Sequence, residues 1–296
     1  MTSGPDEDLL TLVSRKDHVN ILRFVRAHQL RDPDLVIAHA IALLGDDLQK
    51  TLSDESIRLS VLEQACLAAL DTQNHTLAEK CLSRLRDAVG KEAIRFRMLL
   101  ARCLESAGDK EGSKIIYDDL LKVNPGNLMV LKRLYCLSST EKEAVDSLNN
   151  FIQQNTADPS GWYEMVKLRL NMGDFKGASY ALEEVVLGCP LDSKAHCQLG
   201  EVYATLGGIE NLLLARKHLA QSLELDNDNR RALFSLVSTA TDYLQASQGK
   251  KDFDEHEADV AKELVKYGAE KVIKCYKGSP MYQAVQSAMA AYTEVL

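Results

Sequence analysis

Few residues in this chain have types and spacings that could carry chemistry. Cys189, His196 and Cys197 stand close together. Thiolates and imidazoles bind zinc, and a thiol beside an imidazole can act as a nucleophile. Both uses need side chains that converge on one point. His196 and Cys197 are neighbours, and on a helix of 3.6 residues per turn they point about 100° apart. A structural histidine is therefore the expected reading. Gly207-Gly208 lacks the G-K-[ST] ending and the G-x-G-x-x-G spacing of phosphate loops, and it follows helix signals rather than a strand. The run Asp252, Asp254, Glu255, Glu257, Asp259 alternates carboxylates as a calcium loop does. It has no central Gly and no correctly placed terminal Glu, so a solvated charged linker is expected. No Ser, His and Asp arrangement can be assigned. The seven cysteines (Cys66, Cys81, Cys103, Cys136, Cys189, Cys197 and Cys275) are odd in number and widely spaced, without a C-x-x-C. That argues against a disulfide framework or zinc ribbon and for a reducing compartment. No catalytic residue, metal or cofactor is expected.

The elements that would position any other function are helices. The 296 residues are 46% hydrophobic and 26% charged, enough for a packed core and against global disorder. Six Pro and 16 Gly are few for an all-β chain. The net charge of −8 opposes a general role on nucleic acid or anionic lipid, which need a basic face. The acidic stretch Met1 to Asp8 is not followed by a long apolar run, so no secretory signal is expected. The uncharged stretches Leu35–Gly45 and Ser279–Thr293 fall short of the ~18–20 residues of a membrane span.

The helices repeat. Trp162, Met165, Val166 and Arg169 precede a Gly173-Asp174-Phe175 turn, and Ala178, Leu182, Val185 and Pro190 follow. This is the spacing of a tetratricopeptide repeat, in which small residues at positions 8 and 20 let two helices cross and bulky ones fill the hollow beside them. Pro sits where the second helix has ended. Ala101, Leu104, Gly108-Asp109, Ser113, Tyr117, Leu120 and Pro125 form an upstream copy. Leu199, Gly200 and Tyr203 open a downstream copy, whose turn is lengthened by Gly207-Gly208-Ile209 before Ala215, Leu219 and Ser222. Weaker copies run from Leu62 and Leu131, and a sixth first helix begins near Arg230. The prediction is an all-α, right-handed superhelical solenoid over residues 56–245. Helical flanks at 1–55 and 246–296 complete one continuous domain, the second comprising a linker and capping helices. Asp32-Pro33-Asp34 marks a helix start. Gly249–Glu257 reads as linker, and Pro280 as the opening of a last helix with Met281, Val285, Ala288, Met289, Tyr292 and Val295 on one face.

In this repeat the first helix of each pair lines the concave face. Its outward positions here include Arg95, Met98, Arg102, Lys132, Cys136, Tyr163, Lys167, Lys194, Cys197, Glu201, Arg231 and Phe234. Six of these twelve are Lys or Arg against one acid, a local excess in an acidic chain. The expected ligand is a carboxylate-bearing extended or helical segment, with Tyr163 and Phe234 as apolar anchors. The clamp by which chaperone adaptors hold a C-terminal Glu-Glu-Val-Asp fits poorly. Lys132 and Lys194 suit it, but Cys136 and Glu164 occupy its Asn positions and Gln198 its last basic one.

The stretch from Gly200 to Leu223, with its Gly207-Gly208-Ile209-Glu210-Asn211 turn, is followed by Leu225, Asn227, Asn229, Arg231-Ala232-Leu233-Phe234 and Leu236. This resembles the signature region of the family of subunit 2 of the endoplasmic reticulum membrane protein complex; ordinary repeats lack the inserted turn. The blocks Glu63–Asp71 and Leu77–Leu82 add a second match. The resemblance covers about residues 60–240, departs in a shorter turn near Ser138–Glu141, and leaves the first ~55 residues and the tail unmatched. It implies a non-catalytic scaffold, peripheral on the cytoplasmic face of the endoplasmic reticulum membrane. Such a subunit would hold cytosolic parts of the complex's membrane subunits and bind a soluble partner subunit. The complex itself would insert tail-anchored and multipass transmembrane segments. A generic repeat adaptor in another cytosolic complex is the alternative.

Overall fold

A computed structural model of the chain describes residues 5–45, 54–248 and 254–293. The segment 249–253, with Asp252 of the acidic run, and Val295 of the last predicted helix lie outside the described residues, as do residues 1–4. The described residues form sixteen α-helices and no strand. Packing divides the chain into two compact units, Met1–Leu137 and Ser138–Leu296.

The first unit holds α1 (Pro5–Ser14), α2 (His18–Ala27), α3 (Pro33–Leu43), α4 (Glu55–Asp71), α5 (His75–Val89), α6 (Ile94–Ser106), α7 (Lys110–Val123) and α8 (Leu128–Leu137). Short polar side chains start many of these helices. Asp32, Asp54, Asn74 and Asp109 each accept a hydrogen bond from a first-turn amide, satisfying a donor that the helix leaves open. Asp32 and Pro33 open α3 as the sequence predicts. Leu62, Ala65, Cys66, Ala69, Ala78 and Leu85 form one core with Val25, Val36 and Ala40. A second core joins Ala101, Tyr117, Leu120, Val130 and Leu137. Ala101 and Ser113, the small positions of their repeat, are both wholly buried.

The second unit holds α9 (Glu141–Gln154), α10 (Pro159–Asn171), α11 (Phe175–Gly188), α12 (Ser193–Leu206), α13 (Ile209–Leu225), α14 (Arg230–Ser247), α15 (Glu255–Cys275) and α16 (Tyr282–Thr293). Within this unit each helix packs on the next. The crossing of α12 and α13 explains Gly200. A Cβ there would sit 2.6 Å from Leu219 Cγ and 3.0 Å from the Ala215 carbonyl oxygen. The lengthened turn is built on Gly207 and Gly208, at φ +68° and +83°. Two successive residues in this region favour glycine because a Cβ is strained there.

The acidic stretch after α14 is not a linker as far as Glu257. Asp254 caps α15 by accepting from the amides of His256 and Glu257. Glu255 and Glu257 occupy its first turn, where carboxylates oppose the exposed amide dipoles favourably. Glu257 also pairs with Arg216 of α13, a residue 7% exposed whose guanidinium lies over the Tyr243 ring. The last helix begins at Tyr282 rather than at Pro280, and it buries Val285 and Met289 while Met281 and Ala288 stay exposed. Gly268 seats α15 against α14, since a Cβ there would meet Val237 Cγ2 at 2.5 Å.

Candidate partner-binding faces

On the first unit the predicted face is carried by α6 and α8. Arg95 is exposed, and its guanidinium donates to both oxygens of Glu63 on α4, at 2.5 and 2.9 Å. Met98 is half-buried against the second core. Lys132 and Cys136 lie on the exposed side of α8. Arg102 is half-buried and makes no ion pair or side-chain hydrogen bond among the described residues. Beside it lies a network that the sequence reading did not include. Tyr117, wholly buried, donates to Glu105 at 2.5 Å, and Arg133 closes on the same carboxylate. Burial pushes the Tyr117 phenol well above its ordinary value, and the carboxylate adds to the shift.

On the second unit the face is carried by α10, α12 and α14. Tyr163 is tied down: its hydroxyl donates to Asp192 at 2.5 Å. Burial would raise the Asp192 carboxyl, but hydrogen bonds from Tyr163 and from the Lys194 and Ala195 amides hold it below its ordinary value. Lys167 pairs with Glu164 at 2.9 Å. Lys194 is exposed on the first turn of α12. Cys197 is 2% exposed in the core, so its thiol is not offered to a ligand. Burial and the neighbouring Glu201 push that thiol up to about 11. Glu201 accepts from Arg231 at 2.6 and 2.5 Å and from Ser235 at 3.1 Å. Phe234 is half-buried and meets the Tyr276 ring edge-on at 6.1 Å, which makes it a packing residue more than an open anchor.

Half of the six basic positions are thus answered by acids from within the chain. Glu63 neutralises Arg95, Glu164 neutralises Lys167, and Glu201 neutralises Arg231. A signal for the first and last pairs was present: Glu63 and Glu201 precede their arginines by 32 and 30 residues, about one repeat. Arg102 stands apart as a half-buried cation without an acid.

The thiol and imidazole candidates diverge. The His196 Nε2–H donates to the Pro190 carbonyl at 3.1 Å. A carbonyl can only accept, so in neutral His196 the other nitrogen accepts from His218 Nδ1–H at 3.1 Å. Tyr203 stacks on His218 and donates to Glu183. Burial, and then the neighbouring His196 ring, hold the His218 imidazole below its ordinary value. No group of three or more His, Cys, Asp or Glu among the described residues is placed to hold a metal. No described helix is long and apolar enough to cross a membrane.

A scan of protein-family models matched none of them. In fold, the chain is similar to the C-terminal part of a TPR repeat-containing protein from Cytophaga hutchinsonii, with a TM-score of 0.54 and 11% identity over 94% of this chain and 98% of that one. In sequence, it is 28% identical over 209 residues to ER membrane protein complex subunit 2 from Dictyostelium discoideum, covering 70% of this chain and 64% of that protein. It is 31% identical over 247 residues to ER membrane protein complex subunit 2-A from Xenopus laevis, covering 81% of this chain and 82% of that protein. Identity at that level, spread over most of both chains and joined to a tetratricopeptide-type helical architecture, places this chain in the family of ER membrane protein complex subunit 2.

Proposed function

We propose that this chain is a non-catalytic scaffold subunit of the endoplasmic reticulum membrane protein complex. Partner subunits hold it on the cytoplasmic face of the membrane. There it gathers cytosolic segments of the membrane subunits and a soluble partner subunit, and so supports insertion of tail-anchored and multipass proteins. The observation that carries this reading is the 31% identity over 247 residues to the Xenopus subunit. Two features support a binding role. Stacked helix pairs offer extended first-helix faces rather than an enclosed pocket of converging titratable groups. The absence of an apolar spanning helix among the described residues fits a subunit held by others.

Within the predicted face, Arg102 is the residue best placed to meet a partner carboxylate, because Arg95, Lys167 and Arg231 already have acids. The test is affinity purification from detergent-solubilised membranes. The wild-type chain should bring down membrane-spanning partners, and replacing Arg102, Lys132 and Lys167 by Glu should remove them. Recovery of soluble partners alone would reject the complex and favour a generic adaptor. Full recovery by the triple variant would reject the basic face.

A further inference from the structure

Two thiols meet in the core of the first unit. Cys66 of α4 and Cys103 of α6 place their sulfurs 3.9 Å apart. That is close to van der Waals contact, so no other atom separates them. The two differ in access. Cys66 is wholly buried in the core with Leu62, Ala69 and Ala78, whereas Cys103 packs against the same core and is only half-buried.

They differ also in readiness to ionise. The Cys66 S–H has two acceptors in reach, the Ala78 carbonyl oxygen at 3.7 Å and the Cys103 sulfur. When Cys103 loses its proton, the S–H turns to the thiolate, because a hydrogen bond to a charged acceptor is the stronger one. That bond, and then the Arg102 guanidinium, hold the Cys103 thiol below its ordinary value against burial and Glu79. The same bond and burial push the Cys66 thiol well up. A reachable thiolate thus touches a shielded thiol, which is the arrangement that turns a first oxidation into a disulfide. Where glutathione keeps thiols reduced, protein disulfides are usually transient and redox-sensing.

We propose that Cys66 and Cys103 form a reversible disulfide on exposure to a small hydroperoxide, hydrogen peroxide being the simplest. The Cys103 thiolate attacks one peroxide oxygen and the O–O bond breaks. Cys103 becomes a sulfenic acid, and the departing hydroxide takes up the proton that Cys103 had lost and leaves as water. The Cys66 sulfur then attacks the Cys103 sulfur and displaces hydroxide, which takes the Cys66 proton and leaves as a second water. Two thiols and one peroxide give one disulfide and two waters, the thiols losing the two electrons that the peroxide gains. To bond, the sulfurs close from 3.9 Å to about 2 Å. The bridge joins residues 37 apart and ties α4 to α6, the helices that Glu63 and Arg95 already link. A dithiol reductant reverses it. The site goes beyond the scaffold reading and does not rest on it.

The full-length chain is treated with a few equivalents of hydrogen peroxide, blocked with N-ethylmaleimide under denaturing conditions and digested. Mass spectrometry should find Cys66 and Cys103 joined in a peptide pair lighter by two hydrogens than its reduced parts, and dithiothreitol should abolish it. Exposed Cys136 is the internal comparison; it should stop at a sulfenic acid that dimedone traps. In Cys66→Ala the resolving thiol is gone, so dimedone labelling of Cys103 should rise at least about 10-fold over the parent chain. Cys81→Ser removes another thiol of the same core and should leave the bridge intact. Circular dichroism shows whether both variants fold, and the measurement on the parent chain decides the matter if one does not. A Cys103 in the parent chain that is oxidised without bridging, that joins Cys81 or a second chain, or that stays fully alkylatable while Cys136 is oxidised, overturns the proposal. Equal dimedone labelling of Cys103 in the parent and in folded Cys66→Ala does so too.

Discussion

Gly200→Ala should destabilise the second unit, against the usual trend for a glycine inside a helix. Alanine in a helix interior is better than glycine by roughly 1 kcal/mol. At Gly200 the added methyl group has nowhere to go. Its 2.6 Å approach to Leu219 Cγ falls about 0.8 Å short of an ordinary van der Waals contact. The leucine could rotate away, but the Ala215 carbonyl at 3.0 Å is backbone, so α12 and α13 must part. Overpacking of this kind costs roughly 1–3 kcal/mol. After the propensity gain, the net loss should be about 1 kcal/mol and at most about 2. Gly188→Ala is the matched control: it ends α11, is exposed, and has nothing within 4 Å of the added Cβ. It should be neutral or stabilising by a few tenths of a kcal/mol, up to about 1. Urea unfolding followed by circular dichroism at 222 nm measures both, and the opposite sign of the two changes is the readout. A Gly200→Ala chain as stable as the parent would refute the claim that this glycine exists for close helix approach.

Other outcomes follow from the same contacts. Glu257→Gln leaves the buried Arg216 guanidinium without its charge partner; because Glu257 is itself about one-third exposed, the loss should be about 1–2 kcal/mol. Replacing both residues by Met should recover most of it in the same urea measurement. The His218 imidazole is held below its ordinary value of 6.5 by burial and by His196. It therefore contributes stability above about pH 6.5 that is lost as pH falls toward its folded value; His218→Gln should flatten the unfolding midpoint over that window, and an unchanged slope would count against it. Under native conditions iodoacetamide should label exposed Cys136 first, while Cys66, Cys81 and Cys197 react at least about 100-fold more slowly. Burial also pushes the Cys81 thiol up to about 11. Peptide mass spectrometry gives the order, and early labelling of Cys197 would contradict its place in the core.

The residues that were readable in advance are those whose role depends on local spacing. Ala101 with Ser113, and Gly200 with Ala215, fall at the small positions of one helix pair, and the pairs cross there. Asp32, Asp109 and Asp174 sit just before their helices because a short carboxylate satisfies a first-turn amide wherever the helix later packs. His196 was legible as structural because its neighbour Cys197 points about 100° away on a helix, though His218 as its partner was not.

The character of the predicted face was a tertiary matter. Outward positions can be counted from the sequence, and lysines and arginines there look like an open basic stripe. Apart from Lys167, paired locally with Glu164, whether such a side chain is spent depends on residues about a repeat or more away: Glu63 for Arg95 and Glu201 for Arg231, as Asp192 is for Tyr163 and Glu257 for Arg216. Helical periodicity says which side of its own helix a residue occupies and nothing of the neighbour's rotamer or offset. By itself, then, the sequence determined a chain of paired helices with known crossing points and family membership. The stacking of those pairs decided which charges were neutralised, buried Cys197, and left Arg102 half-buried without an acid among the described residues. The reason is physical: crossing points are set by side-chain size at fixed intervals along one chain, whereas pairing requires two elements to be brought together.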